Sequence, residues 1–276
     1  MKRPALAAVT TSVAALALGL ALAAAPSVAA GSLPTLTLAL TKSTVTVGGS
    51  EVAGAVNIVT TVTGEASDSP ALLLLRPGVS VPELAHVLSH LGSDSPLDAI
   101  DPYATIVFDG YATQGRPASA QTWLQPGTYV ALNNANGHAV FTVAANAHPA
   151  LLPAPAATVR AIDFAFRGAD TLHDGELVRF VNDGYLIHMF LFAQAKTAAD
   201  AAKAEALLLE GKAQLALKLY STGLKGQFAG PLSHAELQQE VIDEPPGVYV
   251  IVCGMNAEDG RDHYQLGMFR TITIVK

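Results

Sequence analysis

Apolar and polar positions alternate with a period of two through most of the chain. In the first half Ser43-Thr44-Val45-Thr46-Val47 and Gly54-Ala55-Val56-Asn57-Ile58-Val59 read as strands, and the apolar run 71–75 follows them. Residues 81–88 then read as a helix with Pro82 in its first turn, and the half closes with strand-like runs at 124–132 and 139–143. The second half passes through the same stations: strands at 176–182 and 187–192, a helical stretch at 197–219 rich in Ala, Leu, Lys and Glu, then strands at 244–252 and 269–275. Pro126-Gly127-Thr128-Tyr129-Val130 and Pro246-Gly247-Val248-Tyr249-Val250 are matching turns into matching strands. Many short strands with one helical insertion per half predict an all-β protein built as two tandem β-sandwiches. The halves are 34–145 and 159–276, joined by a Pro/Ala linker at 146–158 that carries no strand pattern. A single large β-domain with coincidental turns is the weaker alternative, because of that linker.

Residues 1–30 break the pattern. Lys2 and Arg3 precede a run, 5–25, without any ionisable side chain, and Ser27, Ala29 and Ala30 suit a signal peptidase. Cleavage near Ala29 or Ala30 and a secreted or periplasmic location are expected. The other reading is a retained anchor, since ~20 apolar residues span a bilayer, and only then does the chain touch a membrane. Composition narrows the class further. Over 276 residues, 50% hydrophobic and 14% charged side chains with a single Cys exclude a disordered tail, a disulfide scaffold and a collagen-like repeat. The formal charge is -7, and loss of Lys2 and Arg3 makes the mature chain more acidic still, so nucleic acid is not an expected partner. Export also leaves Cys253 without an internal disulfide partner. It is then a buried apolar side chain, an intermolecular disulfide or a metal-binding thiolate.

The second half supplies company for that thiol. His188 lies inside a strand, Cys253 at the end of another, and His263 and Met268 precede the last. Two imidazoles, a thiolate and a long axial thioether are the ligand set of a blue-copper electron-transfer centre. At these residues the C-terminal half resembles the cupredoxin family, the plastocyanin-like copper proteins. The resemblance is carried by Val181-Asn182-Asp183-Gly184 before His188, by Pro246-Gly247-Val248-Tyr249-Val250 leading to Cys253, and by His263-Tyr264-Gln265-Leu266-Gly267-Met268. It implies a Greek-key β-sandwich holding one copper ion, with His188 as first ligand, Cys253 and His263 as the next two, and Met268 as the axial one. Two departures stand out. Nine residues, 254–262, separate Cys253 from His263, a longer and looser loop than the best-known members use, and Met255 is an alternative thioether whose expected role is packing.

The first half resembles the same fold more faintly. The place of Cys253 falls in Ala131-Leu132-Asn133-Asn134, the strand matching His188 reads Ala71-Leu72-Leu73, and only His138 remains near the place of His263. A metal-free first domain with a structural or partner-binding role is therefore expected. His86 and His90 share a helix face but have no third ligand nearby in sequence. There is no Gly-x-Ser-x-Gly elbow, no His-Glu-x-x-His helix and no phosphate-binding Gly loop, so an enzyme is not expected. The leading expectation is an exported one-electron carrier with a redox partner protein and no small-molecule substrate. A copper-free sandwich that binds or scaffolds, and copper handling without electron transfer, are the alternatives.

Overall fold

Alternation becomes burial directly in the first strand, β1 (Thr35–Leu40), where Leu36, Leu38 and Leu40 face inward and the residues between them face solvent. The computed structural model describes residues 32–65, 67–92, 95–134, 137–221 and 226–276, so the signal segment read at 1–30, with its cleavage site and any anchor role, lies outside it. The first half continues with β2 (Val45–Gly49), β3 (Gly54–Val62), β4 (Ser67–Asp68), β5 (Ala71–Leu75), helix α1 (Val81–His90), β6 (Ala104–Asp109), β7 (Ala112–Thr113), β8 (Ala118–Leu124), β9 (Gly127–Leu132) and β10 (His138–Val143). The second half comprises β11 (Ala157–Ile162), β12 (Ala165–Gly168), β13 (Thr171–His173), β14 (Leu177–Asn182), β15 (His188–Gln194), α2 (Ala198–Leu209), α3 (Ala213–Ala216), β16 (Gly226–Leu232), β17 (Leu237–Val241), β18 (Gly247–Val252) and β19 (Phe269–Val275).

Each half is a two-sheet sandwich, so the all-β architecture of two tandem sandwiches expected from the sequence stands. In the first, β2-β1-β3-β8 faces β10-β9-β5-β6; in the second, β12-β11-β14-β17 faces β13-β19-β18-β15-β16. Between the sheets lie Leu38, Ile58, Phe108 and Phe141 on one side of the molecule, and Phe180, Phe190, Phe228 and Ile272 on the other. The repeat extends to single bonds. Tyr129 Oη donates to the Gln125 carbonyl at 3.0 Å, and Tyr249 Oη donates to the Pro245 carbonyl at 2.7 Å, so the same tyrosine pins the same turn twice. The stretch 197–219 departs from expectation, being broken after Leu209. Gly211 adopts φ +70, a left-handed conformation that a continuous helix cannot contain, and a Cβ there would lie 2.6 Å from Gln265 Nε2.

The halves join through equivalent strands. β8 and β17 meet antiparallel where Gln239 Nε2 donates to Gln121 Oε1 at 2.8 Å, giving an eight-stranded sheet that runs β12-β11-β14-β17-β8-β3-β1-β2. Read from either end, the order visits equivalent strands, a pseudo-twofold arrangement of the kind that symmetric dimers use. The other sheets meet at their edges, where Ser233 N–H donates to the Ile106 carbonyl and Ile106 N–H donates to Ser233 Oγ, both at 3.0 Å. The Pro/Ala segment is strapped to the molecule. Ala55 N–H donates to the Ala150 carbonyl at 2.9 Å, Gln239 Nε2 reaches the Pro153 carbonyl, and β11 already begins at Ala157.

Acidic groups line this junction. Asp109, at the end of β6, accepts from Gln227 Nε2 of β16 at 2.7 Å, and burial, reinforced by Asp68, pushes its carboxyl up to about 7. In the folded chain it therefore keeps its proton while the unfolded chain loses it above the ordinary carboxylate range. Its contribution to stability is present below pH 3.8 and is lost as the pH rises from there to about 7. Asp109→Asn preserves the acceptor and removes the ionisation. Relative to the parent, the variant is expected to unfold at the same temperature near pH 4 and at a temperature several degrees higher at pH 8, a gain on the order of 2–4 kcal/mol. Thermal melts at the two pH values check this, and equal midpoints at pH 8 would refute it.

Candidate metal centre

Strand ends build the site. His188 is the first residue of β15, Cys253 follows the last residue of β18, His263 opens a single 3-10 turn, and Met268 immediately precedes β19. All four side chains have 0% exposure. His188 Nδ1 lies 3.2 Å from His263 Nδ1, and Cys253 Sγ lies 3.4 Å from His263 Nδ1 and 3.8 Å from His188 Nδ1. A point equidistant from these three atoms is about 2.0 Å from each, the length of a metal–imidazole bond. Among the described residues this is the only group of three or more His, Cys, Asp or Glu side chains whose ligand atoms converge in this way. Met268 is fixed beside it by its backbone: Met268 N–H donates to the His263 carbonyl at 3.0 Å, and Cys253 N–H donates to the Met268 carbonyl at 3.1 Å.

The loop between Cys253 and His263 is not slack, contrary to expectation. Ala257 N–H donates to the Arg261 carbonyl at 2.8 Å, Asn256 and Asp262 form a β-bridge, and His263 N–H donates to the Met255 carbonyl at 2.7 Å, so the nine residues fold on themselves as a small hairpin. Met255 packs, partly buried, against the apolar clusters of both halves.

Two residues of the β11–β12 turn, not foreseen from the sequence, hold the imidazoles. Asp163 Oδ1 is 3.0 Å from His188 Nε2 and also accepts the Tyr185 and Leu186 amides at 2.9 and 3.2 Å. This bond assigns the His188 proton to Nε2 and turns the Nδ1 lone pair toward Cys253 and His263. Burial works against ionisation of Asp163, but the Leu186 amide, the His188 ring and the Tyr185 amide outweigh it and hold the carboxyl below its ordinary value. The next residue, Phe164, adopts φ 60, an uncommon conformation for a bulky side chain, and its ring stands edge-on to His263 with centroids 5.2 Å apart. His263 Nε2 is buried beneath it without a hydrogen-bond partner.

Gly184 is required by close approach. A Cβ there would lie 2.5 Å from Asp163 Oδ1 and 2.7 Å from His188 Nε2. Asn182, fully buried, ties the same segment down: its Nδ2 donates to the Leu186 and Leu232 carbonyls at 2.7 and 2.8 Å, and its Oδ1 accepts from Gly184 N–H at 2.9 Å. This gives a physical role to the Asn182-Asp183-Gly184 motif.

The other histidines stay outside this site. His86 and His90 sit on an exposed face of α1 with ring centroids 4.3 Å apart, and His234 stacks on Tyr185. His138 occupies the strand position of Phe269, because it pairs with Leu132 as Phe269 pairs with Val252. The same registers place Asn133 at the position of Cys253, and Asp68, three residues before Ala71, at the position of His188. There Asp68 accepts the Asn134 amide at 3.1 Å, and Asn133 Oδ1 accepts the Gly137 amide at 2.7 Å. A carboxylate and an amide with backbone partners occupy the first half's counterpart of the ligand cluster.

No protein-family model matches the chain, and no curated protein matches it. Several solved structures are similar. Auracyanin B is 20% identical, covering 46% of this chain and 94% of its own at a TM-score of 0.28. Auracyanin A, a "blue" copper protein from Chloroflexus aurantiacus, is 19% identical, covering 43% and 96% at 0.27. A copper-containing nitrite reductase from Thermus scotoductus is 12% identical, covering 88% of this chain and 68% of its own at 0.26.

The protonation states make binding measurable. Burial pushes the Cys253 thiol up to about 12, while burial and the neighbouring His188 ring push His263 down to about 4; burial also lowers His188, against the pull of Asp163. At neutral pH the imidazoles are therefore neutral and only the thiol must lose a proton to bind a metal. Uptake of a divalent ion is expected to release close to one proton and to strengthen about tenfold per pH unit between pH 7 and 9. Calorimetry in buffers of different ionisation enthalpy measures this, and release of two protons would contradict it. Gly184→Ala, by prising Asp163 from His188, is expected to weaken binding by roughly 10–100-fold, as loss of an outer-shell partner does. An unchanged dissociation constant would remove Asp163 from the site's support.

Proposed function

We propose that this chain is an exported copper protein that carries single electrons at His188, Cys253, His263 and Met268. One observation carries the reading: two imidazole nitrogens and one sulfur, fully buried, share a point about 2.0 Å from each. The donor chemistry fits copper, because thiolate and thioether suit the reduced ion while imidazoles serve both oxidation states. When bound, the ion supplies a one-electron couple. The chain's part is to hold the geometry still across that change. Cys253 N–H donates to the Met268 carbonyl, His263 is fixed at both its amide and its carbonyl, and His188 is held through Asp163. Met189 N–H, 3.5 Å from Cys253 Sγ, offers the sulfur a hydrogen bond that favours its thiolate form.

The same burial supports a carrier over a catalyst. A catalytic metal site keeps a position open to substrate, whereas every ligand here has 0% exposure. A closed, multiply bonded pocket likewise supports retention of the ion over its delivery. The expected electron donor or acceptor is another exported protein, and the leader-like segment 1–30 supports that location.

Addition of Cu(II) to the mature protein tests this. An intense thiolate-to-copper charge-transfer band, narrow copper hyperfine splitting in the electron paramagnetic resonance spectrum and a reversible potential are expected. Cys253→Ala is expected to lose the band entirely. A colourless protein that leaves Cu(II) in solution would overturn the assignment.

A further inference from the structure

The first half takes part in the metal end of the second. Its segment 96–100, which contains the 3-10 turn Leu97–Ile100, lies over the residues that lead into His188. Asp98 Oδ1 accepts the Ile187 N–H at 2.6 Å, and among the described residues this is the one bond to the 182–188 segment contributed by the first half. Ile187 itself, 0% exposed, is packed inside the first half's apolar cluster with Leu73, Leu84, Ile100 and Ile106, and Met255 of the Cys253 loop leans on the same cluster. Beside this contact, Pro96, Asp98 and Ala99 share a cleft of about 680 Å³ with Phe164, Leu186 and Leu266. The residue before His188 and the second residue after Cys253 are thus both packed against the first half.

We propose that Asp98 is a positioning residue of the metal centre: by accepting the Ile187 amide it locks the segment that carries His188 and keeps the first half closed over the ligand loops. The proposal rests on the copper reading, and it gives the first half a task that needs no metal of its own. An amide bonded to a carboxylate is held more strongly than in a neutral pair, and truncation leaves the part-buried Ile187 amide without its side-chain acceptor. Asn at this position retains an acceptor oxygen at the same distance from the backbone; Ala does not.

The test uses the full mature chain and its Asp98→Ala and Asp98→Asn variants. Each is loaded with copper, reduced, and mixed with a coloured Cu(I) chelator, and extraction is timed. Asp98→Ala is expected to give up copper about tenfold faster and to show altered copper hyperfine splitting when oxidised, whereas Asp98→Asn stays within about threefold of the parent and keeps its spectrum. A parent-like rate and spectrum in Asp98→Ala overturn the proposal while leaving the copper reading in place; a parent chain that shows no charge-transfer band overturns the copper reading instead. Hydrogen exchange on the unmodified chain decides the matter should Asp98→Ala fail to fold. The Ile187 amide is expected to exchange at least as slowly as the strand amides of β15, and exchange at the rate of an exposed loop amide overturns the lock.

Discussion

Three lone-pair donors, His188 Nδ1, His263 Nδ1 and Cys253 Sγ, stand within 3.8 Å of one another in an interior closed to water. They can satisfy each other only in part. One ring nitrogen can donate to the other, and the thiol is a weak donor, so at least one strong acceptor is left over at a cost that burial makes larger. A single cation at their common point satisfies all three at once. The rest of the second half answers to this constraint: strand ends deliver the donors, and the turns around them are bonded so that the donors cannot drift apart.

The support is distributed across elements distant in sequence. Asp163 orients one imidazole and Phe164 covers the other, so a two-residue turn whose second member holds an uncommon backbone conformation serves both rings. Gly184 leaves the space in which Asp163 and His188 meet, and Asn182 spends three hydrogen bonds on keeping that space open. On the Cys253 side the same rigidity comes from the backbone, through the hairpin at 254–262, the Cys253 amide on the Met268 carbonyl and the Met268 amide on the His263 carbonyl. Such a shell holds the donors in one fixed arrangement.

What could be read from the sequence follows from which forces act locally. Alternation revealed the strands whose inner faces are apolar, and the order His188, Cys253, His263, Met268 pointed to side chains that the fold brings together, because those residues sit where the pattern switches between strand and loop. β16 and β17 left no such trace. β16 contains Pro231, and the two buried side chains of β17 are Gln238 and Gln239, on opposite faces of the strand: Gln238 Nε2 donates to the Phe228 carbonyl within the second half and Gln239 Nε2 to Gln121 Oε1 across the junction. The break at Gly211 was hidden inside a run of strong helix formers. Asp163 and Asp98 were illegible for a different reason: their partners lie 25 and 89 residues away, and nothing in a turn aspartate distinguishes one that finds a histidine or a buried amide from one that faces solvent.

The comparison between the halves shows two ways of closing this end of the sandwich. In each, the strand that follows the Pro-Gly-x-Tyr turn runs out next to the strand that enters from the opposite sheet, and the two ends must be joined by something other than the ladder. The second half places His188 and Cys253 there and relies on a long loop to bring a third donor. The first half places Asp68 and Asn133 at the same stations, shortens the loop from sixteen residues to five, and closes the end with bonds to the amides of Asn134 and Gly137 and to the Thr41 carbonyl. Hydrogen bonds do there what a cation can do in the other half, but they need partners at fixed short range, so the loop cannot be long. The long loop is tolerable only where its far end is anchored, and in this chain the anchors are the backbone bonds of Cys253, His263 and Met268 and the neighbouring half against which Ile187 and Met255 are packed.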